Sequence, residues 1–279
     1  MKSFALFLFG LAAAAIVIGC KNPSSGTGTD TTPYTVTYNL NGGTGTVPTD
    51  ANTYTVGQDV TAAAAPTGLS PPAVDKKFAG WNTKADGSGT DAAVGGTIAM
   101  PSEDMTLYAK WVDAYTVTYN LNGGTGATAP TDSDRYASGD SVTAAAAPAG
   151  LTAPADKRFA GWNTENDGSG TDAAAGGTIT MPSEDMTLYA KWVDITYTVT
   201  YNLNGGTGAT APIDTNTYTA GQVVTAAVAP TGLVPPTGKT FDGWNTEADG
   251  SGTDVTAGGT GTIAMPSGGG LILYAKWSN

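Results

Sequence analysis

The sequence predicts a mainly β chain, at most of the small α+β class, in which three tandem sheet-built domains follow a signal peptide and a flexible tether. The sequence contains three tandem copies of one repeat, which begin at Tyr34, Tyr115 and Tyr197. Within each unit, short segments alternate apolar and polar residues, as in Tyr34 to Leu40. Gly (39) and Pro (16) are frequent among the 279 residues and interrupt these segments. Such alternation is typical of strands with one buried face, and Gly and Pro favour the turns between them.

The first twenty residues read MKSFALFLFGLAAAAIVIGC and predict an export signal. Lys2 precedes an apolar run from Phe4 to Ile18, which is too short for an ordinary membrane span and typical of a signal-peptide core. The run ends in Val17-Ile18-Gly19-Cys20, which resembles a bacterial lipobox. That resemblance implies that Cys20 is lipidated and becomes the mature N-terminus, so that acyl chains such as palmitate hold the protein on the outer membrane or cell surface. The alternative is a buried N-terminal helix with an incidental Cys.

Residues 21–33, KNPSSGTGTDTTP, contain no large apolar side chain. Such a segment cannot bury enough surface to become ordered, and we interpret it as a flexible tether.

The remaining chain divides into three repeats, 34–111, 115–192 and 197–277, joined by residues 112–114 and 193–196. Each repeat holds two of the six Trp and four of the twelve Tyr. Because the joints are only three and four residues long, we expect limited swing and a bent, monomeric rod.

Each repeat is expected to consist of short strands separated by turns. Asn41-Gly42-Gly43 ends the first strand with residues that tolerate positive φ. Residues 60–64 could form a strand or begin a short helix, although the Ala-rich run stops at Pro66. The other strands are predicted at 54–56, 77–81, 97–100 and 106–111. The core candidates are Tyr38, Phe78, Trp81, Leu107 and Trp111, because large aromatic side chains bury the most area.

Three motifs recur in order in each repeat: Tyr-Thr-Val-Thr-Tyr-Asn-Leu-Asn-Gly-Gly, Phe-x-Gly-Trp-Asn-Thr and Leu-Tyr-Ala-Lys-Trp. This pattern resembles the Listeria–Bacteroides repeat, also called the internalin B-repeat. The resemblance implies a small β-grasp fold with its first and last strands side by side. It also implies tandem copies on bacterial envelope proteins that act as stalks and adhesin-like interaction modules, without enzymatic activity. The third repeat departs from the pattern with Ser267-Gly-Gly-Gly-Leu-Ile and added residues near Gly259.

The composition excludes several functional classes. The chain has no His and one Cys, which leaves no imidazole-activated nucleophile, His-ligated metal or internal disulfide, and no cofactor is expected. A net charge of −12 argues against nucleic-acid binding. The adjacent carboxylates Glu103-Asp104 and Glu184-Asp185 are interpreted as solvated turns rather than a glycosidase pair. The loops at 86–91, 167–172 and 249–254 could offer oxygens to Ca²⁺, but turns are the favoured interpretation.

Exposed aromatic rings are the remaining candidate site, since Trp and Tyr can stack on sugars or anchor a protein. Phe78 and Trp81 are expected on opposite strand faces, and Tyr108 opposite Leu107 and Ala109. The candidates are Trp81, Tyr108, Trp162, Tyr189, Trp244 and Tyr274. The alternative is a central strand covered on both faces. The sequence therefore predicts a lipid-anchored envelope protein that binds an unknown surface protein, with glycan binding as the alternative.

Overall fold

A computed structural model describes residues 31–279. The predicted signal peptide, the predicted lipidation site Cys20 and most of the predicted tether lie outside the described residues. Within 31–279 all regular structure is β, which confirms the mainly β prediction. The helical turn allowed for near Val60 does not form, because that segment pairs as a strand and Pro66 ends the Ala run. No helix of this part of the chain is long and apolar enough to cross a membrane.

Strands are numbered along the chain. In the first repeat they are β1 Val36–Asn39, β2 Asp59–Thr61, β3 Lys76–Asn82, β4 Asp91–Ala92, β5 Thr97–Ala99 and β6 Met105–Asp113. In the second they are β7 Val117–Asn120, β8 Ser141–Thr143, β9 Lys157–Asn163, β10 Asp172–Ala173, β11 Thr178–Thr180 and β12 Met186–Asp194. In the third they are β13 Thr196–Tyr197, β14 Val199–Asn202, β15 Tyr218–Thr219, β16 Val223–Thr225, β17 Thr240–Asn245, β18 Asp254–Val255, β19 Thr262–Ala264 and β20 Leu271–Ser278.

Each repeat contains one four-stranded sheet and one small antiparallel pair. In the first repeat the sheet order is β1-β6-β3-β4, and β2 pairs with β5. β1 runs parallel to β6, with Val36 opposite Met105, so the first and last strands lie side by side as the resemblance implies. The second and third repeats reproduce this topology, and the third adds the short pair β13-β15.

Each repeat has its own hydrophobic core beneath its four-stranded sheet. In the second repeat Trp162 is fully buried at the centre. Its indole Nε1 donates to the Ala145 carbonyl at 2.7 Å, and its ring meets Tyr119 edge-on with centroids 4.7 Å apart. The buried indole N–H therefore keeps a hydrogen-bond partner, and no unsatisfied donor reduces the stabilisation that burial of the ring provides.

A bulge in the third strand of each sheet changes the predicted direction of one aromatic side chain. The pairing of β3 with β6 shifts between Phe78 and Trp81, where Gly80 has φ of 110°. The bulge brings both rings into one aromatic cluster, with centroids 5.2 Å apart. The prediction that Phe78 and Trp81 point to opposite faces is therefore wrong.

Candidate functional site

The six aromatic candidates divide into two sets. Trp81, Trp162 and Trp244 are fully buried and present no ring face to a ligand, so the prediction that a ligand stacks on these tryptophans is wrong. The bulge described above turns them into the core. Tyr108, Tyr189 and Tyr274 are half-buried and lie on the opposite face of the sheet, as the alternation along the last strand predicts.

The outward face of the sheet is best defined in the second repeat. Along β12, Leu188 is buried while its neighbours Thr187 and Tyr189 lie half-buried on the other face. The Thr187 hydroxyl lies 3.0 Å from that of Thr118 on β7. At the start of the strand, Asp185 Oδ1 accepts the Thr116 N–H at 2.7 Å and its hydroxyl at 2.9 Å. These bonds hold the pKa of Asp185 below its ordinary value.

A groove of about 780 Å³ lies beside Tyr189. Its walls come from β12, from the pair β8-β11 and from the loop after β9. The lining is rich in hydroxyls and carboxylates: Ser141, Thr164, Glu165, Thr171, Asp172, Thr178, Thr180, Glu184, Asp185, Thr187 and Tyr189. Most of these side chains are exposed, so the groove is open to solvent.

The loop that forms one wall of the groove is held by a buried amide. Asn163 Nδ2 donates to the carbonyls of Gly168 and Gly170 and, at 2.6 Å, to Asp172 Oδ1. Its Oδ1 accepts the N–H groups of Glu165 at 2.8 Å and Gly170 at 3.0 Å. Asn82 and Asn245 make the same bonds in the other repeats.

The role of these asparagines in holding the loop was not predicted from the sequence, although each of them ends the recurring Phe-x-Gly-Trp-Asn motif, which could have indicated a structural role. They are the only buried polar side chains among the described residues.

The Asp-rich loops use their carboxylates internally. Asp167 Oδ1 caps the Ser169 N–H at 2.9 Å, and Asp172 binds Asn163 and pairs with Lys191. The Lys191 ammonium, followed by the Asn163 amide, lowers the pKa of Asp172. In residues 31–279 no three acidic or Cys side chains gather where a metal ion could be held.

The side chains at the corresponding positions of the other repeats differ. In the third repeat the groove is smaller, about 410 Å³. Its lining includes Ile272 at the place of Thr187 and Gly270 at the place of Asp185. In the first repeat Lys84 and Ala99 stand where the second has Glu165 and Thr180.

Direct polar contacts join neighbouring repeats, and the two junctions differ. At the first, Lys77 Nζ lies 2.7 Å from Asp140 Oδ2 and 5.7 Å from the centre of the Tyr136 ring. Burial, followed by the Asp132 hydrogen bond, raises the pKa of Tyr136 to about 12.

At the second junction, Asp156 of the second repeat accepts three bonds from the third. The donors are the Tyr197 hydroxyl at 2.8 Å, the Gly268 N–H at 2.8 Å and the Ser267 hydroxyl. The Ser267 bond, followed by those from Gly268 and Tyr197, lowers the pKa of Asp156. The unusual glycine-rich turn of the third repeat is therefore part of a contact between repeats.

Comparison with known proteins gives two relatives, both from Evansella cellulosilytica. One, named "Putative Gly-rich membrane protein", is 34% identical over 209 residues, which is 72% of this chain and 22% of the relative. The other, named "Putative membrane protein", is 36% identical over 191 residues, which is 64% of this chain and 24% of the relative. The chain thus spans less than a quarter of the length of either relative. No solved structure matches it.

The model of the Listeria-Bacteroides repeat domain matches residues 34–110, 115–191 and 197–276. These three matches cover most of the chain and coincide with the three separately cored sheets. The chain therefore belongs to the Listeria-Bacteroides repeat domain family, with three tandem copies of the repeat.

Proposed function

We propose that this chain is a lipid-anchored protein of a bacterial cell envelope, whose three repeats form a stalk and bind partner proteins at the cell surface. The observation that carries the proposal is the construction of the described chain: three separate cores, short joints and direct contacts between neighbours. Such a chain holds its last repeat away from its first. Its charge of −12 favours solubility at the surface.

The proposed anchor is lipid on Cys20. Cys20 is the only Cys and ends the only long apolar run. Relatives named as membrane proteins support a place at a membrane. Two or more acyl chains anchor a protein stably, whereas a single chain binds reversibly.

The anchor is tested by replacing Cys20 with Ser in cells fed labelled palmitate. The wild-type chain should take up label and sediment with membranes, and Cys20→Ser should do neither. A Cys20→Ser chain that stays with the membrane fraction would place the anchor elsewhere. Crosslinking on intact cells, with the wild-type chain as bait, should then capture surface proteins.

We also propose that the chain is not an enzyme and needs no cofactor. It has no His, and the candidate carboxylates Asp104 and Asp185 are each bound by a neighbouring threonine. Hydrolase assays of the full chain on glycan and peptide substrates should give no turnover, and turnover abolished by Asp185→Asn would contradict this.

Glycan binding is the second candidate function, and the groove beside Tyr189 favours it. Sugar sites combine an aromatic ring for the apolar sugar face with polar groups for the hydroxyls, and this groove offers both. Quenching of protein fluorescence by glycans, reduced by Tyr189→Ala, is the test.

A further inference from the structure

We propose that the groove beside Tyr189 in the second repeat binds a saccharide that carries an ammonium group, and that the other two repeats do not share this specificity. The proposal rests on glycan binding, the second candidate function, and adds the charge of the ligand and the location of its site.

The shape and the lining of the groove suit a short saccharide. Its volume of about 780 Å³ falls in the range of small-molecule sites. The half-buried ring of Tyr189 gives a surface for the apolar face of a sugar ring. Thr171, Thr178 and Thr180 line the same groove, and their hydroxyls can exchange hydrogen bonds with sugar hydroxyls.

The charge of the groove favours a cation. Four carboxylates line it: Glu165, Asp172, Glu184 and Asp185. Lys191 pairs with Asp172, and the pKa of Asp185 is lowered first by the bonds from Thr116 and to a smaller extent by the charge of Arg135. Glu165 and Glu184 form no ion pair within residues 31–279, so the groove has an excess of negative charge.

An ammonium group has a second favourable partner in the same groove. A cation over the face of a Tyr ring is attracted by its quadrupole, by about 0.5–2 kcal/mol depending on its exposure. Tyr189 lines the groove together with Glu165 and Glu184. One ligand cation can therefore be attracted by the ring and by the carboxylates.

A lysine side chain of a partner protein also carries an ammonium group, but it fits the lining less well. Its four-carbon stem is best covered by apolar surface. The walls here are mostly hydroxyls and carboxylates, and the buried Ile179 and Met186 are the large aliphatic contributors. An amino sugar carries hydroxyl groups around its ammonium group, and these can form hydrogen bonds with more of the polar side chains in the walls.

The other repeats provide a comparison within the same chain. In the first repeat Lys84 stands at the position of Glu165 and replaces a negative charge by a positive one. In the third, Gly269 and Gly270 replace the two carboxylates of Glu184 and Asp185, and Ile272 replaces Thr187. Tyr108 and Tyr274 therefore keep the aromatic ring with a smaller excess of negative charge around it than Tyr189 has.

The test is calorimetric titration of the full chain with two probes. One is a tetramer of β-1,4-linked glucosamine at a pH at which its amines are protonated, and the other is the fully N-acetylated tetramer. We expect the glucosamine tetramer to bind about tenfold more tightly, a difference that shrinks with added salt.

Paired variants locate the site. Glu165→Gln with Glu184→Gln should weaken binding of the glucosamine tetramer about tenfold. The matched double variant Glu103→Gln with Glu247→Gln, which removes the same charge from the other two repeats, should change nothing. Tyr189→Ala should abolish binding, whereas Tyr274→Ala should not. Tyr189→Phe keeps the ring and should retain binding, which separates stacking from folding.

Four results would overturn the proposal, the last of them from a further titration with tetralysine. Equal affinity for both tetramers would remove the ammonium requirement and leave glycan binding in place, whereas absence of binding to either would remove both. Equal losses from the Glu165/Glu184 and Glu103/Glu247 pairs would show that net charge, and not this groove, attracts the probe. Tighter binding of tetralysine than of the glucosamine tetramer would assign the groove to a protein side chain.

Discussion

At the scale of single residues, one buried amide determines the wall of the candidate groove. Asn163 uses its side-chain donor and acceptor on a loop whose own backbone groups would otherwise lack partners. The tryptophan beside it was predictable as a core candidate, because indoles are large and apolar. The role of the asparagine was not predictable, because the bonds of an amide depend on how the chain folds around it and not on residue spacing.

Asn163→Ala should loosen this loop and destabilise the second repeat by about 2–4 kcal/mol, since several buried partners lose their bonds together. Amide exchange at Glu165 and Gly170, whose N–H groups donate to Asn163, is the local measurement. The exposed neighbour Asn166 is the control, and Asn166→Ala should leave both amides protected. Unchanged exchange in Asn163→Ala would contradict this role.

Because the pKa of Asp172 is lowered in the folded chain, the stability of the second repeat should depend on pH. Because the folded pKa of Asp172 lies below the unfolded value, its stabilising contribution is fully present above the ordinary Asp pKa of about 3.9. That contribution is lost as the pH falls through the folded pKa. Lys191→Ala should raise the pKa of Asp172 in an NMR titration and leave that of Asp167, which Ser169 lowers, in place. An unmoved Asp172 would show that the ion pair contributes little, as is common for exposed pairs.

At the scale of elements, the strands were largely predictable and their irregularities were not. The alternation in the last strand placed Leu188 inside and Tyr189 outside, because successive side chains in a strand point to opposite faces. The same rule failed at Phe78 and Trp81, since a bulge adds a residue and resets the alternation. A bulge depends on pairing between distant strands, which the spacing of residues does not report. The hydroxyl-rich groove was missed for the same reason, as its walls come from separate segments.

Gly161 marks the bulge of the second repeat and is a stringent position to test. It has φ of 115°, and a methyl group there would lie 2.6 Å from the Ala173 carbonyl oxygen. Gly161→Ala should therefore destabilise the second repeat by about 2 kcal/mol or more, through backbone strain and steric overlap. Gly168 also has positive φ, at 81°, but nothing lies within 4 Å of a methyl group there. Gly168→Ala should cost about 1 kcal/mol in the same thermal unfolding experiment, and equal losses would contradict the close approach.

At the scale of the whole molecule, similar repeats are joined by dissimilar contacts. The first junction pairs Lys77 with Asp140, where the third repeat has Gln222. The second uses Asp156, and two of its three partners, Ser267 and Gly268, lie in the turn that departs from the family pattern. The sequence predicted limited swing from joint length alone. It did not predict these contacts, because they depend on the relative placement of two folded repeats.

Asp156→Ala should widen the distribution of distances between the second and third repeats. Spin labels at the exposed Ser169 and Ser251, in a Cys20→Ser background, would measure it by pulsed EPR. Asp75 is the equivalent residue of the first repeat, and its carboxylate accepts no hydrogen bond in the described chain. Asp75→Ala is therefore the matched control. Lowering the pH through the folded pKa of Asp156 should widen the distribution in the wild type, because the protonated carboxyl is a weaker acceptor. An unchanged distribution in Asp156→Ala would show that the joint alone sets the geometry.

The most direct test of a chain of three separately cored repeats is amide hydrogen exchange on the full chain carrying Trp162→Ala. Removing this buried indole should cost about 3–5 kcal/mol, enough to unfold a small domain. We predict that protection disappears from β7 to β12, while β1 to β6 and β14 to β20 keep theirs. Loss of protection across all three sheets would instead mean that the repeats share one cooperative core.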